Sequence, residues 1–215
     1  MINGMEETYR DFLGQMGEEA FLEPYKAACR RVEEKLNRIN TTVSQKKGRT
    51  FISQITYRIK TPESCLDKVI KKKCAVKRQT VQERFDDIAG IRVVCNFLED
   101  IYRLVEILNK DKELQIIKVK DYIRNPKESG YQSLHVIVLV PVEGFERKKV
   151  EIQIRTRAMN FWAVAEHCLV YKRPKEQKEN LWLPAIFRAF SSHIKGREGS
   201  HPGSLHDFGN SVKKI

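Results

Sequence analysis

The run Val150-Glu151-Ile152-Gln153-Ile154-Arg155 alternates strictly between apolar and polar side chains. An extended strand sends successive side chains to opposite faces, so Val150, Ile152 and Ile154 share one side and Glu151, Gln153 and Arg155 the other. The apolar side requires a core. The polar side admits two readings at this point. It is either an ordinary amphipathic strand with water on one face, or a sheet face on which a centred carboxylate serves as metal ligand or base.

Around this strand the chain alternates irregularly between helical and extended patterns. Residues 5–40 read as helical, with Phe12, Phe21, Leu22, Tyr25, Val32 and Leu36 as an apolar stripe. Strand patterns fall at 49–60, 91–95, 114–122, 133–142 and 148–156; helical ones fall at 62–73, 80–89, 99–112 and 158–172. The two adjacent late strands, joined by a turn at Gly144, indicate a mixed sheet in an α+β or α/β domain. We divide the chain into an N-terminal helical segment (1–45), a domain at 46–173 and a C-terminal segment at 174–215. The last is expected to hold a short helix at Leu181–Phe187 and then a poorly ordered Gly/Ser/Pro-rich tail.

Composition matters here mainly through charge. The 215 residues carry a formal charge of +12, and residues 46–84 hold 12 Lys and Arg against Glu63, Asp67 and Glu83. Such an excess implies polyanionic company, whether nucleic acid, nucleotides or an anionic surface. Lys71-Lys72-Lys73 reads as a solvated face. Arg58 and Lys60 instead alternate with Ile55, Tyr57 and Ile59, and Thr61-Pro62 is a sound helix start that puts Ser64 and Lys68 one turn apart. Strand, turn and helix would thus aim Arg58, Lys60, Ser64 and Lys68 at one anion, although lysine at helical spacing is common in any case. No apolar run is long enough to span a bilayer, and the acidic N-terminus is no signal peptide. The five cysteines (Cys29, Cys65, Cys74, Cys95, Cys168) form no CxxC and read as reduced thiols of a cytoplasmic protein.

Three further stretches carry candidate chemistry. Arg84-Phe85-Asp86-Asp87-Ile88 sets two acids before a strand, where they either cap a helix or supply a carboxylate to Mg²⁺. Lys127-Glu128-Ser129-Gly130-Tyr131-Gln132-Ser133-Leu134-His135 delivers an aromatic ring from a flexible loop and a histidine at a strand start. Tyr131 there either stacks on a base or packs on its own strand. Motifs of the forms GxxxxGK[ST], GxSxG and HExxH are absent, which removes P-loop, serine-hydrolase and zinc-protease readings.

Taken together, five ordered blocks resemble the RelA/SpoT-type (p)ppGpp synthetase domain in its single-domain form, the small alarmone synthetases. They are Ile55–Lys60, Asp87–Arg92, Lys127–His135, Glu151–Thr156 and Ala158–Ala163 with Glu166-His167. The resemblance implies a nucleotidyltransferase-like mixed sheet of about five strands flanked by helices. It implies transfer of the β,γ-pyrophosphate of ATP to the 3′-hydroxyl of GTP or GDP, or GMP, without hydrolase activity. By the same resemblance Asp87 binds Mg²⁺, and Glu151 is a second ligand or the base. Arg58 and Arg92 hold the adenine, a stacking geometry open to Arg and not Lys, and Lys60, Ser64 and Lys68 take the ATP phosphates. Tyr131 stacks on guanine with Asn160 nearby, Lys127 and His135 meet the acceptor's phosphates, and Gln153 and His167 support.

A homo-oligomer, tetrameric in relatives, also comes with the resemblance, and the basic charge adds RNA as a possible partner; no membrane partner is expected. The chain departs from the pattern at Thr56-Tyr57-Arg58, where many small synthetases have Thr-Gly-Arg, and after the Glu-His helix. Two alternatives stand beside it: a toxin-type enzyme that pyrophosphorylates the 3′ end of tRNA, and a non-catalytic basic RNA-binding module.

Overall fold

The alternation at 150–155 is realised in the central strand of a five-stranded sheet. The computed structural model describes residues 2–166. The strands are β1 (Ile52–Ile59), β2 (Ala89–Cys95), β3 (Gln115–Asp121), β4 (Leu134–Val142) and β5 (Phe145–Thr156), in spatial order β1-β2-β5-β4-β3. β5 runs parallel to β2 and antiparallel to β4, and the outer pairs β1–β2 and β3–β4 are antiparallel. The sheet is mixed, as expected. The helices are α1 (Ile2–Gly17), α2 (Glu19–Lys47), α3 (Pro62–Lys71), α4 (Arg78–Arg84), α5 (Leu98–Asn109) and α6 (Arg157–Glu166).

One sheet face carries the core. Val150, Ile152 and Ile154 of β5, Ala89, Ile91 and Val93 of β2, and Val136, Val138 and Val140 of β4 are all essentially sealed from solvent. They meet Ala28, Val32 and Leu36 of α2 and the Ile101–Leu104–Val105–Leu108 stripe of α5. Burying each such aliphatic side chain contributes about 1.5–3 kcal/mol, so a one-residue slip of β5, which would turn three of them outward, is strongly disfavoured.

The N-terminal apolar stripe is buried as anticipated, but the helix that carries it is two helices. Glu18 adopts an extended backbone (φ −58°, ψ 130°), and its carbonyl accepts from the Phe21 and Leu22 amides to start α2 afresh. Gly14 and Gly17 lie just before the break, where low helix propensity weakens continuation. α2 then runs to Lys47, beyond the expected end at 40, and closes on Gly48 at φ 63°, a conformation that favours glycine. The helix expected over 80–89 is also shorter. α4 ends at Arg84, and residues 85–88 are a bent, non-helical connector whose Ile88 carbonyl accepts from the Lys60 amide at 2.8 Å. Phe85 and Ile88 point into the core from this connector, and Asp87 between them does not. α3 begins at Thr61-Pro62 as predicted, with the Thr61 hydroxyl accepting from the Ser64 amide.

A buried acid fastens the helical layer to the sheet. Asp100, in the first turn of α5, is fully buried and takes Lys47 Nζ at 2.7 Å and Arg49 Nη1 and Nη2 at 2.6 and 3.0 Å. These contacts join the end of α2 and the approach to β1 to the α5 N-terminus, where the helix dipole also favours a negative charge. Cys29, Cys65, Cys74 and Cys95 are free thiols, and burial pushes Cys29 and Cys95 up to about 12 and Cys65 to about 11. No described helix is long and apolar enough to cross a membrane. The expected segment at 174–215 lies outside the described residues.

Replacing Asp100 by Ala removes the buried acceptor that Lys47 and Arg49 share and leaves both with Glu99 as their only carboxylate partner among the described residues. The expected loss is about 2 kcal/mol of unfolding free energy, read from urea denaturation. Breaking the exposed Arg103–Glu106 pair should cost under about 0.5 kcal/mol in the same assay.

Candidate active site

The sheet face opposite the core collects most of the polar residues singled out in the sequence. The parallel register sets Gly90 against Glu151 and Arg92 against Gln153, and β1 adds Arg58 opposite Gly90 and Thr56 opposite Arg92. From the other side, β4 places His135 opposite Gln153. Beside His135 lies a cleft of about 210 Å³ whose walls include Arg58, Asp87, Gly90, Arg92, Glu151 and Gln153. A larger surface depression of about 490 Å³ lies between α2 and the β4–β5 turn. Its charges offset one another, Arg31 with Glu113 among them, and no residue of the recognised motifs lines it.

Two carboxylates reach the cleft. Asp87 is clasped by Lys68 Nζ at 2.6 Å and Lys60 Nζ at 3.2 Å. Burial works to raise its pKa, but the two lysines outweigh that and hold the carboxyl below its ordinary value. Asp86 instead turns towards Lys149 and Lys118 at 3.3 and 3.8 Å, so only one of the acidic pair serves the cleft. Glu151 is buried and held at both oxygens, by His135 Nδ1 at 3.0 Å and Gln153 Nε2 at 2.7 Å. Here too burial raises the pKa, contact with His135 and Gln153 lowers it, and the net direction is down; the nearby Asp87 charge works against ionisation. The polar face of β5 is therefore no solvated surface.

The cationic residues divide. Lys60 and Lys68 converge as the strand–turn–helix reading anticipated. Arg58 stands exposed on β1, and Ser64 is turned to Thr61, whose hydroxyl donates to it at 3.1 Å. Arg58, Arg92 and Arg155 have no carboxylate partner among the described residues. Burial, then the charges of Arg155 and Arg58, push the Arg92 pKa down, and the Nε atoms of Arg92 and Arg155 are buried without a partner. Like charges held together in this way favour an anionic or flat π-rich ligand.

The loop before β4 is pinned by a tight turn, with Gly130 at φ 83° and its amide donating to the Lys127 carbonyl at 2.7 Å. A side chain at residue 130 would strain that turn. The turn delivers Tyr131 beside Trp162 of α6, with ring centroids 6.0 Å apart, and beside Tyr122 at 6.1 Å. Lys127 Nζ lies over both tyrosine rings, 4.7 Å from Tyr131 and 4.9 Å from Tyr122. Asn160, on α6, has a buried Oδ1 with no hydrogen-bond partner. His167 lies outside the described residues. Sequence reasoning gave Arg155, Tyr122 and Trp162 no role in the site. Arg155 was signalled by its place on the polar side of the 150–155 run, but Tyr122 and Trp162 join only through the folded loop.

The pH dependence of stability should report the Asp87 clasp. Its folded pKa lies below the unfolded value of about 3.9, so the clasp stabilises the fold fully above that pH. The contribution disappears as pH falls through the folded pKa. Urea midpoints of the native protein and Asp87→Asn should differ most at neutral pH and converge below about pH 4.

Comparison with known proteins meets this geometry. Residues 57–176 match the family described as "Region found in RelA / SpoT proteins". The GTP pyrophosphokinases YwaC and YjbM of Bacillus subtilis (strain 168) are 41% and 40% identical over 151 and 157 residues. Those matches cover 69% and 72% of this chain, and 72% and 73% of the relatives. The crystal structure of small alarmone synthetase 1 from B. subtilis bound to its product pppGpp superposes with a TM-score of 0.74 at 31% identity, covering 92% of this chain and 97% of that one. Small alarmone synthetase 2 from the same organism gives a TM-score of 0.68 at 33% identity, over 90% and 98%. With a family match across more than half its length and relatives near 40% identity over two thirds of it, this chain belongs to the RelA/SpoT family.

Proposed function

We propose that the chain is a GTP diphosphokinase of the small alarmone synthetase type, making (p)ppGpp by moving the β,γ-pyrophosphate of ATP onto the 3′-hydroxyl of GTP or GDP. The observation that carries this reading is the meeting, in one cleft, of Asp87 and Glu151 with a set of otherwise unpaired guanidiniums. Two polyphosphates repel each other, and their approach needs fixed positive charge around the reacting phosphorus. B. subtilis small alarmone synthetase 1, known bound to AMPCPP as well as to pppGpp, supports the same nucleotide chemistry.

In this reading Arg58 and Arg92, on neighbouring strands of one face, take the adenine between their planes. Lys60 and Lys68 exchange Asp87 for the ATP phosphates, with Ser64 at the N-terminus of α3 beside them. Guanine stacks on Tyr131, and the unpartnered Asn160 Oδ1 accepts from its N–H edge. Lys127, exposed and with its ammonium resting over the Tyr122 and Tyr131 rings, swings that ammonium to the acceptor's 5′-phosphates. Glu151 then removes the 3′-hydroxyl proton, the 3′-oxygen bonds to the β-phosphorus, and the α,β-bridging oxygen leaves with AMP. General-base assistance of this kind contributes about 10²–10⁴-fold.

The donor set suits Mg²⁺. Two carboxylates facing one cleft are what that ion takes from a protein when phosphates and water complete its shell, and no group of three or more His, Cys, Asp or Glu is gathered among the described residues. Asp87 and Glu151 would hold it, and it would neutralise charge on the transferring phosphates. Free thiols among the described cysteines fit a cytoplasmic enzyme.

The test is transfer from γ-³²P-ATP with Mg²⁺ and GDP or GTP, resolved by thin-layer chromatography. Label should enter guanosine tetra- or pentaphosphate, and Asp87→Asn and Glu151→Gln should each lower the rate by at least about 10²-fold with folding intact. Label entering only added tRNA would move the protein to the tRNA-modifying group. RNA affinity without transfer, unaffected by the two substitutions, would make it a binding module.

A further inference from the structure

Asp86 and Asp87 are consecutive acids, and only the second reaches the cleft. Phe85 and Ile88 are sunk in the core on either side of them, so the connector is anchored at its ends. That anchorage does not decide which acid faces Glu151, because Lys60 and Lys68 can pair with either carboxylate. The contacts on the outer side of the connector decide it, and they come from β5. Lys149 Nζ donates to the Glu83 carbonyl at 2.9 Å and lies 3.3 Å from Asp86 Oδ1. Glu83 is in the last turn of α4, where a helix leaves carbonyls without partners of its own. One ammonium therefore ties both the end of α4 and the first acid of the pair to the sheet. Lys118 of β3 supports Asp86 from 3.8 Å at its other oxygen.

Strand alternation puts Lys149 on the same face as Glu151, two residues further on. Its neighbour Lys148 goes to the other face, where its ammonium lies over the Tyr25 ring of α2 at 5.6 Å. Lys149 thus belongs to the strand that presents Glu151 and grips the segment that presents Asp87. We propose that Lys149 is a positioning residue: by holding Asp86 and the end of α4 against β5, it keeps Asp86 out of the cleft and fixes the separation of Asp87 from Glu151. Without Lys149 the connector is free to turn Asp86 towards Lys60 and Lys68, and two adjacent carboxylates then compete for one clasp. This deepens the reading above, in which Asp87 and Glu151 act as a pair that would hold Mg²⁺, and it rests on that reading.

The test compares the native enzyme with Lys149→Met, Lys149→Arg and the double variant Lys149→Met/Asp86→Asn, with Asp87→Asn as control. Transfer from ATP to GDP is measured against Mg²⁺ concentration, and urea midpoints are measured without nucleotide or metal. Lys149→Met should lower kcat about tenfold and raise the Mg²⁺ concentration for half-maximal rate by a similar factor. The KM for GDP should stay within about twofold of native. Lys149→Arg keeps a cation that reaches both acceptors and should recover most of the rate. The double variant, which also removes the competing charge, should be faster than Lys149→Met. Asp87→Asn should shift the urea midpoint roughly half as far in the Lys149→Met background as in the native one, because the clasp is already disturbed there. Native kcat and Mg²⁺ dependence in Lys149→Met would overturn the inference. A double variant no faster than Lys149→Met would do the same, as would equal Asp87→Asn shifts in both backgrounds. A defect confined to a raised nucleotide KM would make Lys149 a substrate contact and also overturn it. Failure of the underlying reading looks different: Asp87→Asn then turns over at the native rate, and the inference falls with it.

Discussion

The parallel pairing of β2 with β5 is the constraint on which the rest of this structure depends. That register puts Gly90 beside Glu151 and Arg92 beside Gln153 on one face while Ile91 and Ile152 meet in the core on the other. Because the side-chain period of a strand is two, a slip by one residue would bury a carboxylate and a guanidinium and expose isoleucines. Core packing and site geometry are thus enforced by the same hydrogen-bonded ladder. The helices α2 and α5 seal the apolar side, and the buried Asp100 cluster fastens them to the start of β1.

Charge within the cleft is balanced in a way that leaves room for substrate. Asp87 is neutralised by Lys60 and Lys68, whereas Arg58, Arg92 and Arg155 have no acid of their own among the described residues. In the proposed reaction, incoming phosphates would compete for the lysines, and release of the lysines would expose both Asp87 oxygens. The arginines supply fixed charge and flat surfaces that are already in position. Preorganisation of this kind is the main catalytic resource in phosphoryl-type transfer, where the protein contributes little covalent chemistry.

Much of the fold and part of the site were legible in the sequence, for identifiable reasons. Strict alternation at 150–155 located the central strand and both its faces, and Thr61-Pro62 marked the start of α3, because these signals are local. The break at Glu18 coincides with a jump in phase, since Phe12 and Met16 keep one helical face and Phe21, Tyr25, Ala28, Val32 and Leu36 another; reading a single helix overlooked that jump along with Gly14 and Gly17. The non-helical connector at 85–88 was read as helix; its backbone is set by burial of Phe85 and Ile88 on either side of Asp87, which is a tertiary effect. The hydrogen bonds of the Tyr131 hydroxyl with Arg155 Nη2 and His135 Nε2 depend on the β4–β5 register and on the loop closed at Gly130, neither of which a single segment encodes. The resemblance grouped Ser64 with the phosphate-binding lysines; its hydroxyl accepts from Thr61 in the helix cap and keeps its own proton to donate.

The central claim is that this cleft moves an intact pyrophosphate and not a single phosphoryl group. The most direct measurement is the stoichiometry and connectivity of the products by ³¹P NMR after reaction of ATP with GDP. The account predicts one AMP for each guanosine product, with a diphosphate on the 3′-oxygen. Formation of ADP with a 3′-monophosphate, or of AMP and free pyrophosphate with GDP unchanged, would contradict it.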